Sequence, residues 1–334
     1  MTQNKINPLA DIGAALGIRL VDGNLRPGEV GFANEAAFDA AFLSQPLTEF
    51  VVGNGGTKRE EKLQELLEFL APAVQVPRKF EFRVSNDAAD FAAEEADGDI
   101  RAMYGEYKRL QAHGKTADSH TVCKGFSTVI EKDEEKEVPH LRQQKARWLK
   151  CVLLRAEIIR AFGLLNAAAT NAAKTWSSGT PNPDSDVTAM LEAAGDAKGL
   201  DPNRVLFGRT AWQKRVQAYA GQNTAGAFAG YNRTPAALAD WLDVDGVLVS
   251  KERYQTGSGK AKLTSADVVL AFSAEDGMST DDPSNIKRFV SPTAGGAWSV
   301  YERDLTSELV EITVAHRSKI AITSALGIRK LTIS

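Results

Sequence analysis

The chain has little cysteine and histidine: two cysteines and four histidines in 334 residues. Cys123 and Cys151 fall in different segments with no metal-ligand spacing. They read as two reduced thiols of a chain made in a reducing cytoplasm, not as a disulfide framework. His113, His120, His140 and His316 are dispersed, and no His-Glu-x-x-His pair occurs. No apolar run approaches the roughly 20 residues of a membrane span. The first segment, MTQNKINPLADIGAALGIRLVDG, lacks the apolar core of a signal peptide. A basic excess is also missing. With 40 Lys+Arg against 43 Asp+Glu the formal net charge is −3, so a sequence-reading nucleic-acid protein is not indicated. A near-neutral surface facing DNA without binding it tightly stays compatible.

Catalytic motifs are missing as well. Gly259-Lys260 is no phosphate-binding loop, because Tyr254 stands where the motif needs its first glycine. Gly53-Asn54-Gly55-Gly56 has no strand–turn–helix spacing of a dinucleotide site around it, and no Gly-x-Ser-x-Gly elbow occurs. Asp243-Val244-Asp245-Gly246 lacks the rest of a calcium loop. Asp281-Asp282 reads as a turn before Pro283, and His316-Arg317 as a strand pair facing the core or a neighbour. No catalytic residue, cofactor or metal is expected, and an enzyme is not the leading reading.

What is present is an ordinary globular composition, 43% hydrophobic and 25% charged, with an unusual layout. Residues 1–45 are Ala/Gly-rich, with short helices expected near Pro8–Leu16 and Glu35–Leu43, and read as an arm lying on something else. Phe50–Val52 reads as a short strand. Lys58–Leu70 reads as an amphipathic helix with Leu63, Leu66, Leu67 and Leu70 on one stripe. Phe80, Phe82 and Val84 alternate with charges as in a strand, and Asp87–Ala96 reads as a short acidic helix.

A long polar hairpin follows, with strands expected over Ile100–Gln111 and His120–Asp133 and the loop AHGKTADS between them. At about 3.3 Å per residue this arm would be on the order of 40 Å long, and a lone ribbon is marginal in water, so it needs a surface to lie on. The charge run Glu131–Glu137 reads as a solvated junction. From Pro139, suited to the first helical position, one helix is expected to reach Ala173, about 52 Å. Its inward stripe is expected to be Leu149, Val152, Ala156, Ile159 and Gly163, with Arg147, Lys150 and Glu157 opposite. The later stretch AFGLLNAAATNAA, small all round, is expected to be buried on most sides.

Residues 174–283 alternate strand and helix: helix Asp186–Lys198, strand Arg204–Phe207, a helix capped by Thr210, a loop over GQNTAGAFAGYNRT, and a helix from Thr234-Pro235 to Trp241. Strands Val247–Ser250 and Val268–Phe272 follow, with a Gly-Ser-Gly loop between. Residues 284–334 are β-rich, with strands over Arg288–Ser291, Trp298–Asp304, Leu309–Ile322 and Leu326–Ile333. In the third of these Val310, Ile312 and Val314 share the face expected to be buried.

The ordered runs DIRAMYGEYKRLQ, CKGFSTVIEKDEEKEVP, RWLKCVLLRAEIIRAFGLLNAAATNAAKTW, NRVLFGRTAWQKR, DVDGVLVSKERYQ, DPSNIKRFVSPTAGGAWSVYE and HRSKIAITSALGIRKLTIS resemble the major capsid proteins of tailed bacteriophages over about residues 80–334. The resemblance implies an α+β, Hong Kong 97-type capsid fold. Its parts would be an N-terminal arm over 1–45, an E-loop hairpin over 99–133, a P-domain over 46–98, 134–175 and 284–334 with its spine helix near 139–173, and an A-domain over 176–283. It implies subunit contacts at the E-loop through Arg109, His113, Lys115, Asp118 and Lys124, and at the axial stretch Gly221–Asn232 through Asn223, Tyr231 and Asn232.

The implied role is a coat protein that forms pentamers and hexamers of itself and then an icosahedral head around packaged double-stranded DNA, held without sequence-specific binding. Portal, scaffolding and decoration proteins are its implied partners, with no membrane partner and no cofactor. The implied location is the virion capsid, assembled in the bacterial host cytoplasm. Two alternatives stand beside it: an encapsulin-like nanocompartment shell of the same fold, and an oligomeric soluble α/β enzyme.

Overall fold

The computed structural model describes residues 41–53, 56–84, 105, 115–222, 225–257, 259–277 and 283–334. The helices expected near 8–16 and 87–96, and nearly all of the strand expected over 100–111, lie outside the described residues; of the helix expected over 35–43 only residues 41–43 lie within them. In chain order the elements begin with α1 (Gln45–Val52), α2 (Lys58–Leu70), β1 (Ala73–Gln75), β2 (Lys79–Val84), β3 (Lys115–His120) and β4 (Val122–Glu131). Next come α3 (Lys132–Glu137), α4 (Leu141–Ala168), β5 (Thr170–Lys174), α5 (Pro183–Lys198), β6 (Arg204–Gly208), α6 (Arg209–Ala220), α7 (Ala225–Asn232) and α8 (Pro235–Leu242). The rest is β7 (Gly246–Ser250), β8 (Arg253–Thr256), β9 (Gly259–Lys262), β10 (Val268–Phe272), β11 (Ile286–Ser291), β12 (Ser299–Asp304), β13 (Leu309–Ile322) and β14 (Arg329–Ile333). The described residues form two compact units: one of those up to 53, 124–150 and 292–316, the other of those in 56–123, 151–291 and 317–334.

In the first unit β12 runs antiparallel to β13, from Ser299 opposite Ala315 to Asp304 opposite Val310, and β4 also pairs with β13. Val310, Ile312 and Val314 are all buried, as their alternation predicts. Gly125 lets β4 approach, since a Cβ there would lie 2.9 Å from the Val314 carbonyl oxygen. Phe50–Val52 is not a strand but the last turn of α1, which Pro46 opens. Three apolar residues before a glycine fit either element; here the tertiary partners decide. The Thr48 hydroxyl accepts from Val300 N–H at 3.0 Å, and the buried Lys150 ammonium donates to Val51 C=O at 2.6 Å, a cation on the carbonyl end of a helix. The run Glu131–Glu137 is solvated as expected, but as the one-and-a-half-turn helix α3 with no buried residue.

The second unit holds a mixed five-stranded sheet in the order β5-β14-β10-β6-β7. Val205, Phe207, Val269, Ala271, Leu331 and Ile333 point to one side and pack with Trp176, Val187, Met190, Leu191, Ala211 and Leu238 into a buried core. Helix α2 has the bounds and buried leucines that its periodicity predicts, with Leu63, Leu66, Leu67 and Leu70 all at most 3% exposed. Phe80 and Phe82 of β2 stack near Phe289 of β11, at centroid distances of 4.5 and 5.1 Å.

Four expectations are corrected in this unit. First, the long helix ends at Ala168, and Thr170–Lys174 is a strand parallel to β14, from Thr170 opposite Arg329 to Lys174 opposite Ile333. Unpaired backbone groups on β14 hold a segment whose Thr and Asn have little helical preference. The helix is thus 28 residues, about 42 Å.

Second, its buried stripe is rotated. Leu149 is buried as expected, but so are Leu153, Leu154, Ile158, Ala161, Phe162 and Leu165, whereas Ile159 is 38% exposed and a Cβ on Gly163 would meet nothing within 4 Å. Glu157, expected on the polar face, is buried and accepts from Ser318 Oγ at 3.0 Å and from Arg160; a paired carboxylate can lie where its sequence neighbours would bury. Third, residues 115–119 of the expected loop AHGKTADS are strand β3, antiparallel to β2 from Lys79 opposite His120 to Val84 opposite Lys115. Fourth, the stretch between β7 and β10, expected to hold only a loop, contains the short antiparallel strands β8 and β9, paired from Arg253 opposite Lys262 to Thr256 opposite Gly259.

Candidate assembly surfaces

The described stretch expected to face a symmetry axis is not a loop. Ala225–Asn232 is helix α7. Its small residues carry no helical stripe, which is why the sequence reads as irregular, and side chains from other elements hold it instead. Asp184, in the first turn of α5, is 2% exposed. Its carboxylate accepts from Arg215 Nε at 2.6 Å and from a second nitrogen of the same guanidinium at 3.0 Å. It also accepts from Arg233 at 2.6 Å. Arg215 donates onward to the Gly230 carbonyl at 3.2 Å, inside α7. Such a fork on a buried carboxylate is directional as well as strong.

Tyr219 completes the mount. Its hydroxyl donates to Asn182 Oδ1 at 2.9 Å and accepts from Asp184 N–H at 3.0 Å. Its ring lies against Gly230, where an added Cβ would come within 2.9 Å of a ring carbon. Burial pushes the Tyr219 phenol above its ordinary value, against the opposing effect of the Asp184 N–H bond. Arg233 also covers the Trp241 ring at 4.3 Å. Thus α7 is fixed from below while Phe228, 72% exposed, and Tyr231, 45% exposed, stand out from it. Single exposed apolar residues are ordinary, but two exposed aromatics three residues apart on one pinned helix share a face.

Of the contact residues expected from the sequence, Arg109, His113 and Asn223 lie outside the described residues, and of Lys115 only the backbone, in β3, is described. Asp118 is exposed on β3, directly opposite Glu81 of β2, a like-charge cross-strand pair that costs some stability. Lys124 is half-buried on β4. Tyr231 and Asn232 are brought together on α7, where Asn232 Nδ2 donates to the Phe228 carbonyl at 3.1 Å. Sequence reasoning missed Phe228, the most exposed large apolar residue of those described, and the Asp184–Arg215–Arg233 group that mounts it. The signal available was weak: an aromatic inside a Gly/Ala-rich run, flanked by an arginine on each side.

Among the described residues no cluster of His, Cys, Asp and Glu could hold a metal ion, and no helix is long and apolar enough to cross a membrane. No protein-family model matches the chain, and no curated protein is similar to it in sequence. Solved structures do match. A phage-related protein of Bordetella bronchiseptica RB50 is 15% identical, with a TM-score of 0.61 over 87% of this chain and 97% of that one. The putative capsid protein of a prophage of E. coli CFT073 is 13% identical, covering 87% of this chain and 99% of its own, with a TM-score of 0.49. A virus-like particle protein of Pyrococcus furiosus is 13% identical over 86% of this chain and 98% of that one, also at 0.49. At such identities the likeness is one of fold. The chain has the α+β, Hong Kong 97-type capsid fold.

Proposed function

We propose that this chain is the major capsid protein of a tailed phage: a structural, self-assembling subunit and not an enzyme. The observation that supports this reading most directly is the pinned helix α7, whose Phe228 and Tyr231 are held rigidly in solvent by a buried charge group with no other evident use. A subunit gains from mounting aromatics this way when a copy of itself covers them, since pre-ordered side chains lose less entropy on association. The capsid fold supports the same reading.

In it, residues 1–45 are the N-terminal arm, 99–133 the E-loop, 176–283 the A-domain, and the remainder the P-domain. Copies form pentamers and hexamers and then an icosahedral head around double-stranded DNA, in the host cytoplasm, with portal, scaffolding and decoration proteins as partners. Head-to-tail contacts close into rings when the rotation permits, and many moderate contacts per subunit hold a shell together although each one alone is weak. Asp118, Lys124, Tyr231 and Asn232 are contact residues in this proposal.

Light scattering and negative-stain microscopy of the purified chain test it. Closed particles far larger than a dimer are the expected result. A stable monomer or small dimer under every assembly condition would sink the proposal, and nucleic acid inside the particles distinguishes a virus head from an empty compartment.

A further inference from the structure

One feature of the second unit is not used by the assembly reading. Arg209 at the start of α6, Lys251 and Arg253 at the β7–β8 turn, and Lys262 on β9 converge on an open depression of about 420 Å³, completed by Thr210 and Gln213. Among the described residues no acidic side chain lines it. None of the four cations has a carboxylate partner among the described residues, whereas Arg204, Lys214, Arg215, Arg233 and Arg288 of the same unit all do. The chain as a whole is slightly acidic, so four unneutralised cations brought together from three separate elements stand out from the background.

The fold builds this convergence and does not simply tolerate it. Gly208 lets the 265–266 segment cross tightly over the start of α6, because a Cβ there would lie 2.3 Å from the carbonyl oxygens of both Ser265 and Ala266. Ala266 C=O then takes the Thr210 and Ala211 N–H groups. With those donors occupied, the Thr210 side chain is not needed as a cap, contrary to the sequence expectation. Its hydroxyl oxygen instead accepts from Lys262 Nζ at 2.9 Å, which fixes the lysine on the rim of the depression. The β8–β9 hairpin holds Arg253 directly opposite Lys262. Like charges facing across a hairpin repel, a cost that a ligand carrying several negative charges removes.

We propose that this depression is a binding site for a multiply charged phosphate ligand, with Arg209, Lys251, Arg253 and Lys262 each meeting phosphate oxygens. The guanidiniums suit bidentate contact with an oxyanion. With no aromatic side chain lining it among the described residues, recognition would be of charge and spacing and not of sequence. The chemistry is shared by the backbone of duplex DNA and by free inorganic polyphosphate. The proposal does not depend on the chain forming a shell, because binding is measured on the unassembled subunit.

The test uses the full chain, a fluorescent random-sequence DNA duplex in one arm and inorganic tripolyphosphate in the other. Binding is followed by anisotropy or calorimetry across a salt series. Lys251→Gln/Arg253→Gln is the site variant and Lys58→Gln, on the exposed start of α2, the control; matched thermal melts establish that all three are folded. For DNA, the site variant should lose more than about tenfold in affinity near 0.1 M salt. Its slope of log K against log salt should fall by about 1.8, the value for two lost phosphate contacts, with the control unchanged. Loss of tripolyphosphate binding alone assigns the site to free polyphosphate, and loss of duplex binding assigns it to a nucleic-acid backbone. Absence of binding to either ligand, or an equal loss in the Lys58 control, overturns the proposal.

Discussion

Tyr219 shows how one residue serves both packing and polarity. Its ring backs Gly230, and its hydroxyl links the start of α5 to Asn182. Because burial raises the pKa of its phenol, the folded chain keeps this proton at a pH where the unfolded chain has released it. The associated stability is fully present below the ordinary tyrosine value, about 10, and is lost as the pH rises through the folded one. Denaturant melts of the unassembled subunit should therefore show the wild type losing stability more steeply than Tyr219→Phe as the pH rises above about 10; parallel slopes would remove this role. Gly163 gives a second residue-scale test. The sequence places it on a buried stripe, where leucine would overpack by about 1–3 kcal/mol. The structure leaves it open, so Gly163→Leu should instead stabilise the subunit by up to about 1 kcal/mol through helix propensity, read as a higher melting temperature.

At the level of elements, β3 and α7 lead to opposite expectations. Residues 113–119, read from sequence as the tip of an arm that needs a neighbouring surface, would be dispensable for folding. The structure puts residues 115–119 in β3, with Ala117 against the cluster of Phe80, Phe82 and Phe289. Deleting 113–119 should thus unpair β2 and lower the stability of the unassembled subunit by several kcal/mol, because two buried phenylalanines lose their cover. Retention of the wild-type melting temperature would show that β2 has another partner. By contrast, Phe228 and Tyr231 on α7 are 72% and 45% exposed. Phe228→Ser/Tyr231→Ser should leave subunit stability within about 0.5 kcal/mol while sharply reducing the yield of sedimenting particles; an unchanged particle yield would mean that α7 is not a contact.

For the whole molecule the proposed assembly predicts a closed particle, seen by light scattering or microscopy, in which other copies would cover the exposed Phe228 and Tyr231. Much of the fold was legible in advance. The α2 stripe and the Val310, Ile312 and Val314 face of β13 follow from periodicity, because their apolar residues match one period and no other. Less of α7 is legible: the sequence places Tyr231 and Asn232 in a loop, whereas the structure puts them on a helix. Sequence by itself determined where apolar residues recur, where chains turn, and that no familiar catalytic motif is present. Only tertiary structure decided the segments whose local preferences were balanced. A strand partner on β14 turned Thr170–Lys174 from helix to sheet. Hydrogen bonds from Ser318 and Arg160 let Glu157 be buried and so rotated the long helix. A carboxylate distant in sequence gathered Arg215 and Arg233 to hold α7 in place. In each case a partner far along the chain satisfies backbone or charged groups that local sequence leaves open, and periodicity carries no record of such partners.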